Sequence, residues 1–266
     1  MEIIRNTLLS SFSADMTVSQ HGFVTTDNTW VQPPLPAPYS RLYFVTEGSG
    51  QLLSDRERVQ LEPGYVYLAP CGLPCGFCSA DSVTKLYFHI NIILPNGYDL
   101  FLKAPSIACL PYPVEKTQQL RALYLSEDPA KHILLKGELW TVVADFAQEI
   151  ISNRLEKENP STRTAQAIAY IHANLSAGMT VKTVANALFC SDTTLEAAFR
   201  REIGSTVGRY IEDMVLFEAQ QLLLSTGKSI SEISTILGFS DQFYFSRRFR
   251  KHFSVSPKAY RSLHMR

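Results

Sequence analysis

The stretch Ser229–Phe249, SISEISTILGFSDQFYFSRRF, decides the fold of the C-terminal part of the chain. Ser229 and Glu232 have the S-x-x-E spacing of a capping box, which predicts a helix that begins at about residue 230. Gly238 then permits the left-handed backbone conformation that commonly ends a helix and turns the chain. A second helical pattern follows directly, so the stretch predicts a helix-turn-helix.

The second helix of this motif carries positive charge on one side. We expect Ser240 or Asp241 to cap it, and Phe245 and Phe249, four residues apart, to pack inward together. At 100° per residue, five side chains then lie on the outer face: Phe243, Ser246, Arg247, Arg250 and Lys251. Such a face suits a phosphate backbone, with some side chains reaching base edges.

Charge is distributed unevenly along a chain whose formal net charge is zero. Residues 1–160 carry a formal charge of −5 and residues 161–266 one of +5. A basic half joined to an acidic half favours a polyanion-binding module carried by a second module. The alternative is that the basic residues form the solvated face of two packed helices or of an ordinary enzyme.

A second copy of the pattern lies upstream, in TVKTVANALFCSDTTLEAAFRREIG (residues 180–204). The register that we predict places ANALFCSDTTLEAAFRREIG over STILGFSDQFYFSRRFRKHF, with Leu195 and Phe199 facing inward. A helix over about 207–224 separates the two copies by roughly 27 Å. Successive major-groove faces of B-DNA are about 34 Å apart, so the two copies could enter adjacent turns of one duplex.

The first ~110 residues have the pattern of β structure. Short alternating runs such as RLYFV, RVQL, YVYLA and KLYFHINI are separated by glycine and proline turns, which favours a barrel or sandwich. Helical periodicity follows over 114–126 and 129–158, with Asp128 as N-cap of the second segment, and a linker is expected over 156–163. The longer helix has an apolar stripe predicted to pack on the barrel: Ile133, Leu139, Trp140, Val143, Phe146, Ile150 and Ile151.

The C-terminal segment SISEISTILGFSDQFYFSRRFRKHFSVSPKAYR resembles the signature of the AraC/XylS family of bacterial transcription regulators. RLYFVTEGSGQLL and LEPGYVYLAP are similar to parts of that family's cupin-like regulatory domain. The resemblance implies an α+β chain. Its regulatory domain, a cupin-like β-barrel with helices, is expected over residues 1–157, and an all-α DNA-binding domain with two helix-turn-helix motifs over 164–266.

The resemblance also implies which residues face DNA. In the second module they are Gln242, Phe243, Ser246 and Arg247, and in the first module Thr193, Glu196, Ala197 and Arg200. The first module departs from the family pattern, because Phe189 replaces the usual turn glycine, Ala197 stands where arginine is common, and Glu196 would point an acid at DNA. We therefore predict that the second module dominates DNA affinity.

One polar face of the predicted barrel is a candidate ligand site. Strand alternation places Lys85, Tyr87, His89 and Asn91 on one side of their strand. The predicted ligand-binding residues are Arg41, Tyr43, Tyr67, Tyr87 and His89, a combination of aromatic rings and polar groups that suits a sugar or similar effector. The favoured alternative is that this face is the solvent-exposed, wet outside of the barrel, because antiparallel sheets commonly expose one face to water.

The segment PCGLPCGFC brings Cys71, Cys75 and Cys78 within eight residues. Three thiolates could bind Zn²⁺ or sense oxidants, which makes a thiol- or metal-responsive regulator the alternative function. The spacing lacks a fourth ligand and is not that of a standard zinc finger, so inert thiols are favoured and no metal site is predicted.

No nucleophile motif, phosphate loop or metal-protease motif is found, so we predict neither an enzyme nor a cofactor. The expected partners are double-stranded DNA, a small-molecule effector such as a sugar, a second copy of the chain and, for an activator, RNA polymerase. No membrane segment or signal peptide is recognised, which favours a cytoplasmic protein.

Overall fold

The computed structural model describes residues 14–79, 82–102, 104–151 and 160–264. The described residues form two compact units. One comprises residues 15–92 and 99–151, and the other comprises 93–98 and 160–264. The predicted domain boundary at 157 and half of the predicted linker, residues 156–159, lie outside the described residues, so the boundary stays a prediction. The last two residues of the predicted linker, 162 and 163, already belong to a helix. No described helix is long and apolar enough to span a membrane.

The first unit contains two antiparallel sheets. Their strands are β1 (Asp15–Thr26), β2 (Gln32–Leu35), β3 (Ser40–Gly48), β4 (Gly50–Leu53), β5 (Arg58–Leu61), β6 (Tyr65–Ala69), β7 (Cys75–Cys78), β8 (Val83–Ile93) and β9 (Ala108–Pro111). The first sheet has the order β1-β8-β3-β6-β9 and the second β2-β7-β4-β5. The two sheets are hydrogen-bonded separately across the described residues, so the cupin-like barrel is not closed.

Each face of the first sheet packs against a different layer. Tyr43, Val45 and Tyr67 on the inner face share a cluster with Leu52 and Cys75 of the second sheet. The outer face is covered by two helices, α1 (Val114–Tyr124) and α2 (Pro129–Ile151). Phe88 contacts Tyr124 of α1, with ring centroids 6.0 Å apart, and Phe44 contacts Tyr112 in the connection before α1, at 5.0 Å.

Helix α2 begins as predicted, because Asp128 Oδ1 accepts the backbone N–H of Ala130 at 2.9 Å. The predicted apolar stripe is correct only in part. Leu139, Val143 and Phe146 are buried, but Ile133 is 72% exposed. The stripe joined residues from two sides of the helix: the buried side is Leu135, Leu139, Val142, Val143, Phe146 and Ala147.

The second unit is helical. Its helices are α3 (Thr162–Ala173), α4 (Val181–Ala187), α5 (Asp192–Glu202), α6 (Val207–Ser225), α7 (Ile230–Ile236), α8 (Gln242–Phe253) and α9 (Pro257–His264). Helices α4 and α5 form the first helix-turn-helix, and α7 and α8 form the second. Helix α6, the predicted spacer, has 19 residues and is roughly 28 Å long.

Candidate nucleic-acid interface

Both helices of the second module begin at side-chain caps. Ser229 and Glu232 form the predicted capping box at the start of α7. Of the two candidate caps for α8, Asp241 is the one used, and its Oδ1 accepts the backbone N–H groups of Phe243 at 2.8 Å and Tyr244 at 2.7 Å. These bonds satisfy backbone donors that would otherwise be unpaired at the helix start.

The inner side of α8 is aromatic. Phe245 and Phe249 are fully buried, with ring centroids 5.8 Å apart. Phe249 also contacts Tyr260 of α9, at 5.4 Å between centroids. The Tyr260 hydroxyl accepts a hydrogen bond from Gln220 Nε2 of α6 at 2.9 Å. This packing fixes the rotation of α8 about its own axis, and thus decides which side chains point outward.

The outer side of α8 is the predicted one. Phe243 is 68% exposed, and Arg247, Arg250 and Lys251 are exposed. Gln242 and Ser246 are partly exposed on the same side. The three cations have no acidic partner among the described ion pairs, so they can neutralise phosphates. Contact of each residue with DNA stays a prediction.

Arg248 has a different role from its arginine neighbours. Its guanidinium forms an ion pair with Glu212 of α6. The pair ties the outward helix of the second module to the spacer helix. Sequence reasoning missed it because Glu212 belongs to a different helix.

The first module has the same frame. Ser191 Oγ accepts the backbone N–H of Thr194 at 3.1 Å and caps α5. Leu195 and Phe199 are fully buried, as predicted. The four predicted DNA-facing residues lie together on the outer side: Thr193, Ala197 and Arg200 are exposed and Glu196 is partly exposed. Glu196 Oε2 lies 3.7 Å from Arg200 Nε, so an acid offsets this arginine of the face.

The predicted register between the modules holds in the turns and fails in the outer helices. Cys190 N donates to Ala185 O, and Phe239 N donates to Ser234 O, both at 3.0 Å. These equivalent bonds close both turns. The second turn has one more residue before its cap, however, so the outer helices align with a shift of one. Leu195 corresponds to Phe245, Phe199 to Phe249, Ala197 to Arg247 and Arg200 to Arg250.

The predicted ligand-binding residues of the first unit are buried. Arg41, Tyr43, Tyr67 and His89 are at most 9% exposed, and Tyr87 is partly buried. The alternative that this face is the wet outside of the barrel is therefore wrong. Helices α1 and α2 cover the opposite, apolar face, so the polar face is turned toward the second sheet.

Several of these polar groups already have protein partners. Arg41 Nη1 donates to the carbonyl of Cys75 at 3.4 Å, and the Tyr67 hydroxyl accepts the backbone N–H of Glu62 at 2.8 Å. The His89 ring is stacked on Tyr39, with centroids 4.2 Å apart. Burial raises the pKa of Tyr67 to about 12. The interior therefore offers hydroxyl groups that stay protonated, and their role toward a ligand stays a prediction.

The three clustered cysteines are mainly buried. Cys71 and Cys75 are at most 1% exposed, and Cys78 is partly buried. Burial raises the pKa of the Cys71 thiol and of the Cys75 thiol, which disfavours the thiolate that binds metal or reacts with oxidants. Within the described part of the chain, no group of three His, Cys, Asp or Glu side chains is arranged to hold a metal ion.

Comparison with known proteins identifies this arrangement. A family model described as "Helix-turn-helix domain" matches residues 184–262. The Msm operon regulatory protein of Streptococcus mutans is 25% identical over 258 residues, which cover 93% of this chain and 92% of that protein. The helical unit of the chain carries an AraC-type helix-turn-helix domain, and the chain is a DNA-binding transcription regulator.

Two further proteins are similar over most of their length. The lactose operon transcription activator of Staphylococcus xylosus is 23% identical over 237 residues, 84% of this chain and 83% of that protein. The solved structure of ToxT from Vibrio cholerae superposes with a TM-score of 0.54 at 12% identity, over 95% of this chain and 98% of that one. At that identity the likeness to ToxT shows the fold alone. This regulator departs from the AraC/XylS pattern in the weakly charged outer face of its first module.

Proposed function

We propose that the chain regulates an operon for carbohydrate use, and that a small polar effector held between the two sheets controls its DNA binding. The observation that supports the effector is the buried face that combines Arg41, Tyr43, Tyr87 and His89. Burying charged and polar groups costs free energy, so their presence in a sandwich interior favours a binding role. The carbohydrate class is suggested by the name of the lactose operon activator. The proposal contains no catalytic step.

The second module supplies most of the DNA affinity in this proposal. Its outer face has Arg247, Arg250 and Lys251 free to approach phosphates and bases. Arginine bound to a guanine contributes base discrimination, whereas phosphate contacts set position. The first module then contributes mainly contacts that position the protein on DNA, and helix α6 separates it from the second module.

The test is to select genomic fragments with the purified protein and measure their affinities by fluorescence anisotropy. We expect operator binding to exceed binding to random duplex by about 10³-fold or more, and to fall steeply with salt. Adding the sugar that the adjacent operon consumes should change operator affinity. Equal affinity for random and selected duplexes would contradict sequence-specific regulation. Unchanged affinity with every sugar tested would contradict only the effector part.

We further propose that a second copy of the chain packs on α2. Its outer side exposes Ile133 at 72% and Leu134 at 60%, with Trp140 partly exposed. The N-terminal half of the helix carries Lys131, Lys136 and Glu138, and the C-terminal half carries Asp145 and Glu149. An antiparallel pair of α2 helices would place each basic half against an acidic half, which is the symmetry of a twofold dimer.

Sedimentation measures this association directly. We expect the wild type to sediment as a dimer and the Ile133→Glu/Leu134→Glu variant as a monomer. Leu125→Glu, which changes a residue that is 60% exposed outside α2, is the control and should stay dimeric. A wild-type monomer, or a dimer that survives the double substitution, would exclude this interface. When the regulator activates transcription, RNA polymerase is the further partner that we propose.

A further inference from the structure

Lys85 is a buried cation in the described part of the first unit. Lys85 of β8 is 3% exposed, and its Nζ has no hydrogen-bond acceptor among the described residues. The ammonium lies over the ring of Trp30, 3.5 Å from its centroid, and 5.2 Å from the centroid of Tyr43. Burial alone lowers the pKa of Lys85 to about 7.

The aromatic contacts do not offset the cost of burying this charge. A desolvated cation–π contact is weaker than the penalty for burying an ammonium, which persists even after the protein relaxes around the charge. An ammonium also has three N–H donors, and ring faces do not satisfy them as oxygen atoms do. If Lys85 served only the fold, an apolar side chain at this position would give a protein of equal or higher stability.

A second orphan donor faces the same interior. Gln32 of β2 is 5% exposed, and its Nε2 has no partner among the described residues. Gln32 stands opposite Phe77 of β7 in the antiparallel register. Directly opposed residues point to the same face of a sheet. Phe77 packs against the inner cluster, and its ring is stacked on Trp30 with centroids 4.4 Å apart.

Trp30 covers this place from the loop between β1 and β2. The indole is partly exposed, whereas the other residues of the loop, 27–29 and Val31, are exposed. The described hydrogen bonds of the loop are internal to it: Trp30 N donates to Asp27 O at 3.0 Å, and Val31 N to Thr29 O at 2.8 Å. The indole itself packs on Phe77, Tyr43 and Lys85. The described hydrogen bonds of the loop do not tie its backbone to either sheet, and an outward movement of the loop would expose the Lys85 ammonium.

We propose that the space under Trp30 binds an anionic group, a carboxylate or phosphate carried by the effector, through Lys85 with Gln32 as a second donor. The anion takes the place of the indole over the ammonium and supplies the acceptors that Lys85 Nζ lacks. This inference rests on the proposed effector role and narrows the effector to an acidic or phosphorylated small molecule.

The test uses the full chain in a chloride buffer at constant ionic strength, with melting temperature and titration calorimetry as readouts. The probes are D-glucose, D-glucuronate, D-glucose 6-phosphate, acetate and inorganic phosphate. We expect at least one anion to raise the melting temperature above the values in chloride and glucose. The glucuronate and acetate arms report a carboxylate, and the two phosphate arms a phosphate.

Two substitutions locate the effect. Lys85→Met should remove the anion-induced shift and weaken binding at least about tenfold, while leaving the melting temperature without anion equal or higher. Lys116→Met, at an exposed position of α1, should keep the wild-type response.

Three results would overturn the inference: no anion stabilises the wild type, the shift survives in Lys85→Met, or Lys85→Met melts several degrees lower without anion. If no anion stabilises the wild type but glucose does, and the glucose shift persists in Lys85→Met, this inference alone is excluded and the effector proposal stands.

Discussion

The two helix-turn-helix modules share a frame and differ in surface chemistry. Each has a capped outer helix, two buried apolar anchors four residues apart and a turn closed by an equivalent hydrogen bond. The outer faces differ at the aligned pair Ala197 and Arg247. The frame depends on buried residues that cannot vary freely, whereas exposed positions can change charge at little cost to stability. Two modules can therefore share one fold while only one of them has an outer face that suits strong DNA binding.

The largest expected difference concerns DNA affinity. Arg247→Ala gives the second module the side chain that the first has at the aligned position. We expect it to weaken operator binding by about 1–3 kcal/mol if Arg247 forms hydrogen bonds with a guanine. Arg200→Ala, the matched change in the first module, should cost less than about threefold because Glu196 already offsets that arginine. Anisotropy titrations on one operator compare the two variants, and equal losses would refute the predicted asymmetry.

The turn glycine gives the next effect, on stability. Gly238 has φ of +73°, and a Cβ there would lie 2.2 Å from Ser176 Oγ. Gly238→Ala should lower the free energy of unfolding by about 1–2 kcal/mol. Gly208→Ala makes the same change within α6, where no atom lies near the added Cβ. We expect a gain of about 0.5–1 kcal/mol there. Denaturant titration measures both, and a neutral Gly238→Ala would show that the turn tolerates a side chain.

The opposite change applies to the first turn. Phe189 has φ of +52°, and its side chain is 97% exposed, so it makes little packing contribution. Phe189→Gly relieves a penalty of about 1–2 kcal/mol for the left-handed conformation and adds about 0.5–1 kcal/mol of backbone entropy cost. The net result should be a gain of up to about 1.5 kcal/mol in unfolding free energy. A loss of stability would mean that the exposed ring packs against something in solution.

The smallest expected effect is the pH dependence of stability that Glu202 gives the first module. Burial opposes ionisation of Glu202, but hydrogen bonds from Thr164, Arg201 and Ser161 outweigh it and lower its pKa to about 2. A depressed pKa stabilises the fold above the unfolded value near 4.5, and this contribution is lost as the pH falls through 2. Glu202→Gln should therefore melt lower than the wild type at pH 7, with a difference that shrinks between pH 4.5 and 2. A constant difference in melting temperature would assign the effect to packing.

Much of the helical unit could be predicted from the sequence because its signals are local. Ser229, Glu232 and Asp241 act on backbone groups within three residues, and Phe245 with Phe249 follows from the helical repeat. The extra residue in the second turn was not predicted, since both sequences align without a gap. Three-dimensional closure of the turns revealed the shift that pairs Ala197 with Arg247.

The sequence by itself determined the two modules, the alternating strands and the resemblance to the AraC/XylS family, because capping, periodicity and turn chemistry depend on neighbours along the chain. Only the tertiary structure decided which way the polar face of β8 points. Alternation separates two faces of a strand but cannot say which one a second sheet covers. The same packing buried Lys85 without a partner and directed Arg248 to Glu212, since both outcomes depend on elements distant in sequence.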